Sequence, residues 1–188
     1  MVLVAIPLAV LGSAFFWALG GDFGSSIRIL CGITIAICCL FVVGFSLVSL
    51  VLATLLVLGL WGATSIGYGI PDDPFQPNGD DGSPLGKFWY ETAKEFGYTT
   101  HADRAHVANV LTRGTVGLVY GLAVSPFCLI KGHWWWIIIL PLIACANTVF
   151  WNAFCDDMPP FEIGPLKLNA KELITGAGVG LCGLLSLV

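Results

Sequence analysis

The stretch Ile29 to Gly69, ILCGITIAICCLFVVGFSLVSLVLATLLVLGLWGATSIGYG, runs for 41 residues without a charged side chain. A helix needs roughly 20 apolar residues to cross the ~30 Å hydrocarbon core of a bilayer. An exposed helix of a soluble protein would carry charges on its outer face along that distance. The stretch is therefore long enough for two membrane crossings, joined by a very tight turn at Gly44, Phe45 and Ser46. One crossing followed by a re-entrant segment is the rival reading.

Working outward, the rest of the chain follows the same rule. Charges fall in three clusters, Asp22 to Arg28, Asp72 to Arg104 and Asp156 to Glu172, and only Lys131 and Arg113 lie elsewhere. Of the 188 residues 57% are hydrophobic and 11% charged, against about 25% charged in an ordinary soluble domain. The mean hydropathy is +0.88. These features predict an all-α, polytopic membrane protein forming one transmembrane domain over 1–188. About six helices are expected, at roughly 2–20, 27–45, 47–69, 104–129, 133–154 and 170–188, arranged as three hairpins with a polar segment at 70–103. The first is expected to be a retained helix, since it lacks the basic start and the cleavage site of a signal peptide. A net charge of −4 offers no basic surface for nucleic acid. The seven cysteines form no CxxC pair, so they read as small buried apolar residues.

The basic residues set an orientation. Arg28, Lys87, Lys94, Arg104, Lys167 and Lys171 lie on the three longer connections, against Lys131 on the opposite side. Cytoplasmic loops carry the excess of Lys and Arg. The three connections are therefore expected in the cytoplasm and both termini outside it. Trp134, Trp135 and Trp136 would mark the outer interface, with Trp89 and Trp151 at the inner one. Within 70–103, residues Leu85 to Phe96 read as a short amphipathic helix capped by Ser83 with Pro84 in its first position. Its expected resting place is the inner membrane surface. Gly114 and Gly121, like Gly176 and Gly183, are seven apart, a faint internal echo that coincidence in Gly-rich helices also produces.

Three constellations could carry chemistry. In the fourth apolar helix His106, Asn109, Arg113, Gly117 and Tyr120 share one face by their 3, 4, 4, 3 spacing. An arginine at membrane depth must face the bundle interior or water and find partners. The expected cluster comprises Arg113, Glu172, Asn147, Asn152, His106 and Arg28, with Asn109 and Tyr120 on the same stripe. It is either a structural pin or a ligand-binding site. His101, His106 and Asp103 are the acid–base candidates. Second, Asp72, Asp73, Asp80 and Asp81, with Asp156 and Asp157, are oxygen donors on turn-forming backbone that could hold a divalent cation, though in no EF-hand spacing. Third, Thr64-Ser65-Ile66-Gly67-Tyr68-Gly69 resembles the potassium-channel selectivity filter. Its context, with no span following promptly after it and a cytoplasmic location, favours a helix end running into a turn.

Residues Gly82 to Trp89, Thr112-Arg113-Gly114 with Tyr120-Gly121, and Glu172-Leu173 with Gly176 and Gly180 resemble motifs of uncharacterised multi-pass membrane proteins encoded by tailed bacteriophages. The resemblance covers about half the chain in scattered pieces and implies residence in a bacterial inner membrane. The expected function is a binding or accessory module for a lipid headgroup, a small anion or a membrane partner, including a host membrane protein or a homo-oligomer. A membrane-embedded enzyme on a lipid or polyprenyl substrate is the alternative, and an ion channel or pore through the TSIGYG segment is a third.

Overall fold

The computed structural model describes residues 2–19, 25–67, 83–155, 158–159, 161–163 and 166–187. They form helices α1 (Val2–Leu19), α2 (Ser25–Val43), α3 (Leu47–Gly67), α4 (Pro84–Glu95), α5 (His101–Ile130), α6 (Trp136–Phe154) and α7 (Ala170–Leu185). A two-stranded antiparallel hairpin, β1 (Phe161–Ile163) and β2 (Leu166–Leu168), precedes α7. Among the described residues four helical stretches are long and apolar enough to cross a membrane: Ser26–Val43, Leu47–Ile66, His101–Ile130 and Trp136–Phe154. The apolar part of α1, Val4–Ala18, is shorter. So is α7, whose 16 residues extend roughly 24 Å.

The decisive stretch resolves into two helices. Gly44 ends α2 with φ +93°, a left-handed turn that glycine adopts without strain, and its N–H donates to Leu40 O at 2.8 Å. Ser46 and Ser49 then cap α3 reciprocally. The Ser46 N–H donates to Ser49 Oγ at 2.7 Å and the Ser49 N–H to Ser46 Oγ at 3.1 Å, while Ser49 Oγ donates to Gly44 O at 2.8 Å. These bonds satisfy helix-end groups that hydrocarbon cannot solvate. From Leu47 to Gly67 the helix is continuous.

The apolar helices pack in a closed cycle, α1 on α2, α2 on α3, α3 on α5, α5 on α6, α6 on α7, and α7 back on α1. Helix α5 also touches α2 and α7, so it lies toward the middle. Glycines permit the closest contacts. A Cβ on Gly121 would lie 2.4 Å from Pro141 Cα, and one on Gly176 2.4 Å from Ser13 O and 2.7 Å from Ala14 Cα. Membrane helices, which gain little from hydrophobicity between themselves, associate through such small-residue contacts. Large apolar side chains point outward instead, including Leu47, Val48 and Leu55 on α3 and Ile138 and Leu142 on α6. That distribution suits a lipid surround.

Helix α4 begins as the sequence indicates, with Ser83 Oγ accepting from the Gly86 N–H at 3.0 Å. Its packed face carries buried Gly86 and Ala93 and rests on α5 and α3. Trp89 Nε1 donates to Thr115 Oγ1 at 3.1 Å. Phe88 and Phe96, two of the large apolar residues of this segment, are exposed. Helix α5 starts three residues earlier than expected because Thr100 caps it, its Oγ1 accepting from the Asp103 N–H at 3.1 Å. All seven cysteines are free and at least half-buried.

Candidate functional site

Arg113 lies 12 residues into α5, roughly 18 Å along the axis. The 30 residues of α5 extend roughly 45 Å, beyond the hydrocarbon thickness, so its first turns can stand in the interface while Arg113 remains among neighbouring helices. Arg113 Nη1 pairs with Glu172 Oε1 in the first turn of α7; their side chains are 19% and 5% exposed. Arg113 Nε donates to Asn109 Oδ1 at 2.8 Å, one turn back on α5. The guanidinium is thus held by a carboxylate and an amide oxygen, and its charge is balanced within the bundle.

The other members of the expected cluster disperse. Asn147 ties α6 to α7, its Nδ2 donating to Thr175 O at 3.0 Å while its Oδ1 accepts from Trp151 Nε1 at 3.2 Å. Asn152 is buried but turned onto its own helix, donating to Thr148 O at 2.8 Å. Tyr120 forms a buried hydroxyl pair with Ser13 of α1 at 2.7 Å. Arg28 caps the end of α3, its Nη1 donating to Thr64 O at 3.2 Å. Thus Arg113, Asn109 and Glu172 are in direct contact, Asn147 bonds the next turn of α7, and Tyr120 and Arg28 serve other helix pairs. Thr112 Oγ1, Asn152 Oδ1 and Glu172 Oε2 have no hydrogen-bond partner among the described residues.

Of the acid–base candidates, Asp103 and His106 come together and His101 stands apart. His101 lies against the Tyr90 ring of α4, with ring centroids 5.7 Å apart. Asp103 completes the α5 cap, its Oδ2 accepting the Thr100 hydroxyl at 2.5 Å. His106 and Asp103 border a cavity of about 360 Å³ between α5 and the end of α6, lined also by Tyr98, Val107, Val110, Leu111 and Ala153. Arg104 is not in the lining; its Nε and Nη2 donate to Tyr98 O (2.7 Å) and Thr99 O (3.2 Å), and its guanidinium lies 5.9 Å from the Tyr90 ring centre. The cavity's polar lining residues Tyr98, Asp103 and His106 are exposed, while Val110 is buried and Val107, Leu111 and Ala153 are half-buried, a pairing of polar and apolar surface that suits an amphiphile.

The acidic candidates Asp72, Asp73, Asp80, Asp81, Asp156 and Asp157 lie outside the described residues. Among the described residues no three His, Cys, Asp or Glu side chains converge as a metal site. Thr64 to Gly67 are helical, whereas a selectivity filter needs extended backbone with carbonyls turned to a pore. Tyr68 and Gly69 lie outside the described residues.

Sequence reading did not single out Ser13 or Tyr98, and it placed Trp151 only as an interfacial ring and Thr175 only beside Glu172 at the start of the last helix, without naming their partners. Ser13 and Thr175 were traceable as hydroxyls in apolar helices, and the Asn147-to-Trp151 spacing of four is a helical neighbour relation. Tyr98, just outside a helix, gives no such signal. Comparison of the chain with protein-family models, with characterised proteins and with solved structures finds no match.

Proposed function

We propose that the chain is a membrane-embedded binding or accessory module that engages a lipid headgroup at one end of its helix bundle. In this reading six helices cross a bacterial inner membrane as three hairpins, with α1 and α7 as short crossings. The three longer connections face the cytoplasm and the termini face outward, as the distribution of Lys and Arg favours.

The cavity between α5 and α6 carries the proposal. Its lining pairs Tyr98, Asp103 and His106 with the aliphatic Val107, Val110, Leu111 and Ala153, a match for a polar head followed by a hydrocarbon chain. It lies within one to two turns of the Arg113–Glu172 pair, whose role is to hold α5 against α7 and so keep one wall in place. Charge balance at Arg113 argues against a small anion there, because the anion would have to displace Glu172. Of the acid–base candidates, His106 and Asp103 share the cavity, but no nucleophile or phosphate cradle stands with them in its lining, so the binding reading is preferred to the enzymatic one.

The test is lipid retention. Protein purified in mild detergent should carry bound phospholipid through extensive washing. Ala153→Phe, which fills the cavity from α6, should release it without unfolding the helices. Equal retention by the wild type and the filled variant would refute the site.

A further inference from the structure

The cavity lining holds one carboxylate, Asp103, and no lysine or arginine. Neither of the arginines nearest to it along α5 is in the lining, although Arg104 bonds the backbone of the lining residue Tyr98. Arg104 donates to Tyr98 O and Thr99 O and lies over the Tyr90 ring, while Arg113 is held by Glu172 and Asn109. A site for an anionic headgroup would present a cation or a fork of donors. This one presents acceptors. Thr100 occupies Asp103 Oδ2, and Oδ1 has no hydrogen bond among the described residues. The first turn of a helix attracts anions, and Asp103, standing in that turn, opposes this for any incoming phosphate.

Resting on the lipid-site reading above, we propose that the cavity selects a phospholipid whose headgroup bears a primary ammonium, with Asp103 accepting its N–H groups and Val107, Val110 and Leu111 lying along the acyl chain. His106 and Tyr98 complete the mouth with a ring nitrogen and a hydroxyl. A trimethylated ammonium has no N–H to donate and is recognised by stacked aromatic faces, of which this cavity has Tyr98 as its one phenol ring. A glycerol headgroup leaves the phosphate charge uncompensated beside Asp103. The ethanolamine class fits where the choline and glycerol classes do not.

The experiment uses the full chain in phosphatidylcholine vesicles doped with a phospholipid carrying a photoreactive diazirine on one acyl chain. The head is ethanolamine, choline or glycerol, and the chains are identical. Peptides spanning 107–111 and 153 are quantified by mass spectrometry after illumination. The ethanolamine lipid should label them roughly three- to tenfold more than the other two, the ratio one hydrogen bond of ordinary strength gives. Asp103→Asn, which can still cap α5 through Thr100, should erase that preference while leaving the labelling itself. Equal labelling by all three heads, a preference for glycerol, or a preference that survives Asp103→Asn would overturn the headgroup assignment and leave a lipid site standing. Absence of labelling at these peptides with every head would overturn the lipid site as well.

Discussion

Arg113 and Glu172 are 59 positions apart in the sequence and in direct contact in the structure, joining the middle of α5 to the first turn of α7. Asn109 holds the guanidinium from its other side. Removing one partner of a buried ion pair leaves an uncompensated charge, which costs roughly 3–5 kcal/mol in a buried site. Polar contacts among membrane helices are weaker, roughly 1–2 kcal/mol. Arg113→Met is therefore expected to lower the melting temperature in detergent, with Glu172→Leu added to it restoring part of the loss. A single mutant as stable as the wild type would show that the pair does not hold α5 to α7.

Glycine contacts make a graded prediction. A Cβ at Gly121 meets the Pro141 backbone at 2.4 Å, whereas one at Gly114 meets a side-chain methyl of Val149 at 2.6 Å. Side chains yield more readily than backbone, and overpacking typically costs about 1–3 kcal/mol. Thermal unfolding should rank Gly121→Ala as more damaging than Gly114→Ala. Gly59→Ala and Gly62→Ala, which meet nothing within 4 Å, should be neutral or slightly stabilising. A uniform response across the four positions would contradict this packing.

The Ser13–Tyr120 hydroxyl pair links α1 to α5 where both residues are buried. Tyr120→Phe should destabilise the bundle by about 0.6–2 kcal/mol. A double-mutant cycle with Ser13→Ala should recover most of that as coupling. Additive effects would mean that the two hydroxyls act independently.

Much of the fold was legible because lipid imposes simple rules. Apolar runs at 2–20 and 47–69 correspond to α1 and α3, ending within two residues of the observed helices. The Ser83-Pro84 start of α4 followed from capping chemistry. The Arg113–Glu172 pair was legible because few residues could neutralise a charge at that depth. Partner choice for the other polar groups was not. Asn152 and Asn147 are the same residue type on one helix. One bonds its own backbone and the other bonds α7, a difference set by helix rotation rather than by sequence spacing. Arg28 found a helix-end carbonyl, an acceptor every helix offers. The hairpin at Phe161 to Leu168 was missed although FEI and LKL alternate about Gly164-Pro165, a strand signal. Neighbouring apolar runs made every segment there read as a connection.

Thr64 O, which a filter would turn toward an ion, instead accepts from Arg28 within a helical segment. The full chain in liposomes should show no potassium-selective flux. A flux abolished by Gly67→Ala would reinstate the filter.

The account rests on a bundle whose polar connections share one side of the membrane. Single cysteines at Glu95, exposed on α4, and at Lys131, exposed between α5 and α6, test this in intact cells lacking the seven native thiols. An impermeant thiol reagent should label Lys131→Cys from outside and Glu95→Cys only after permeabilisation. Labelling of both positions from the same side would contradict the six-helix crossing and the cytoplasmic lipid site built on it.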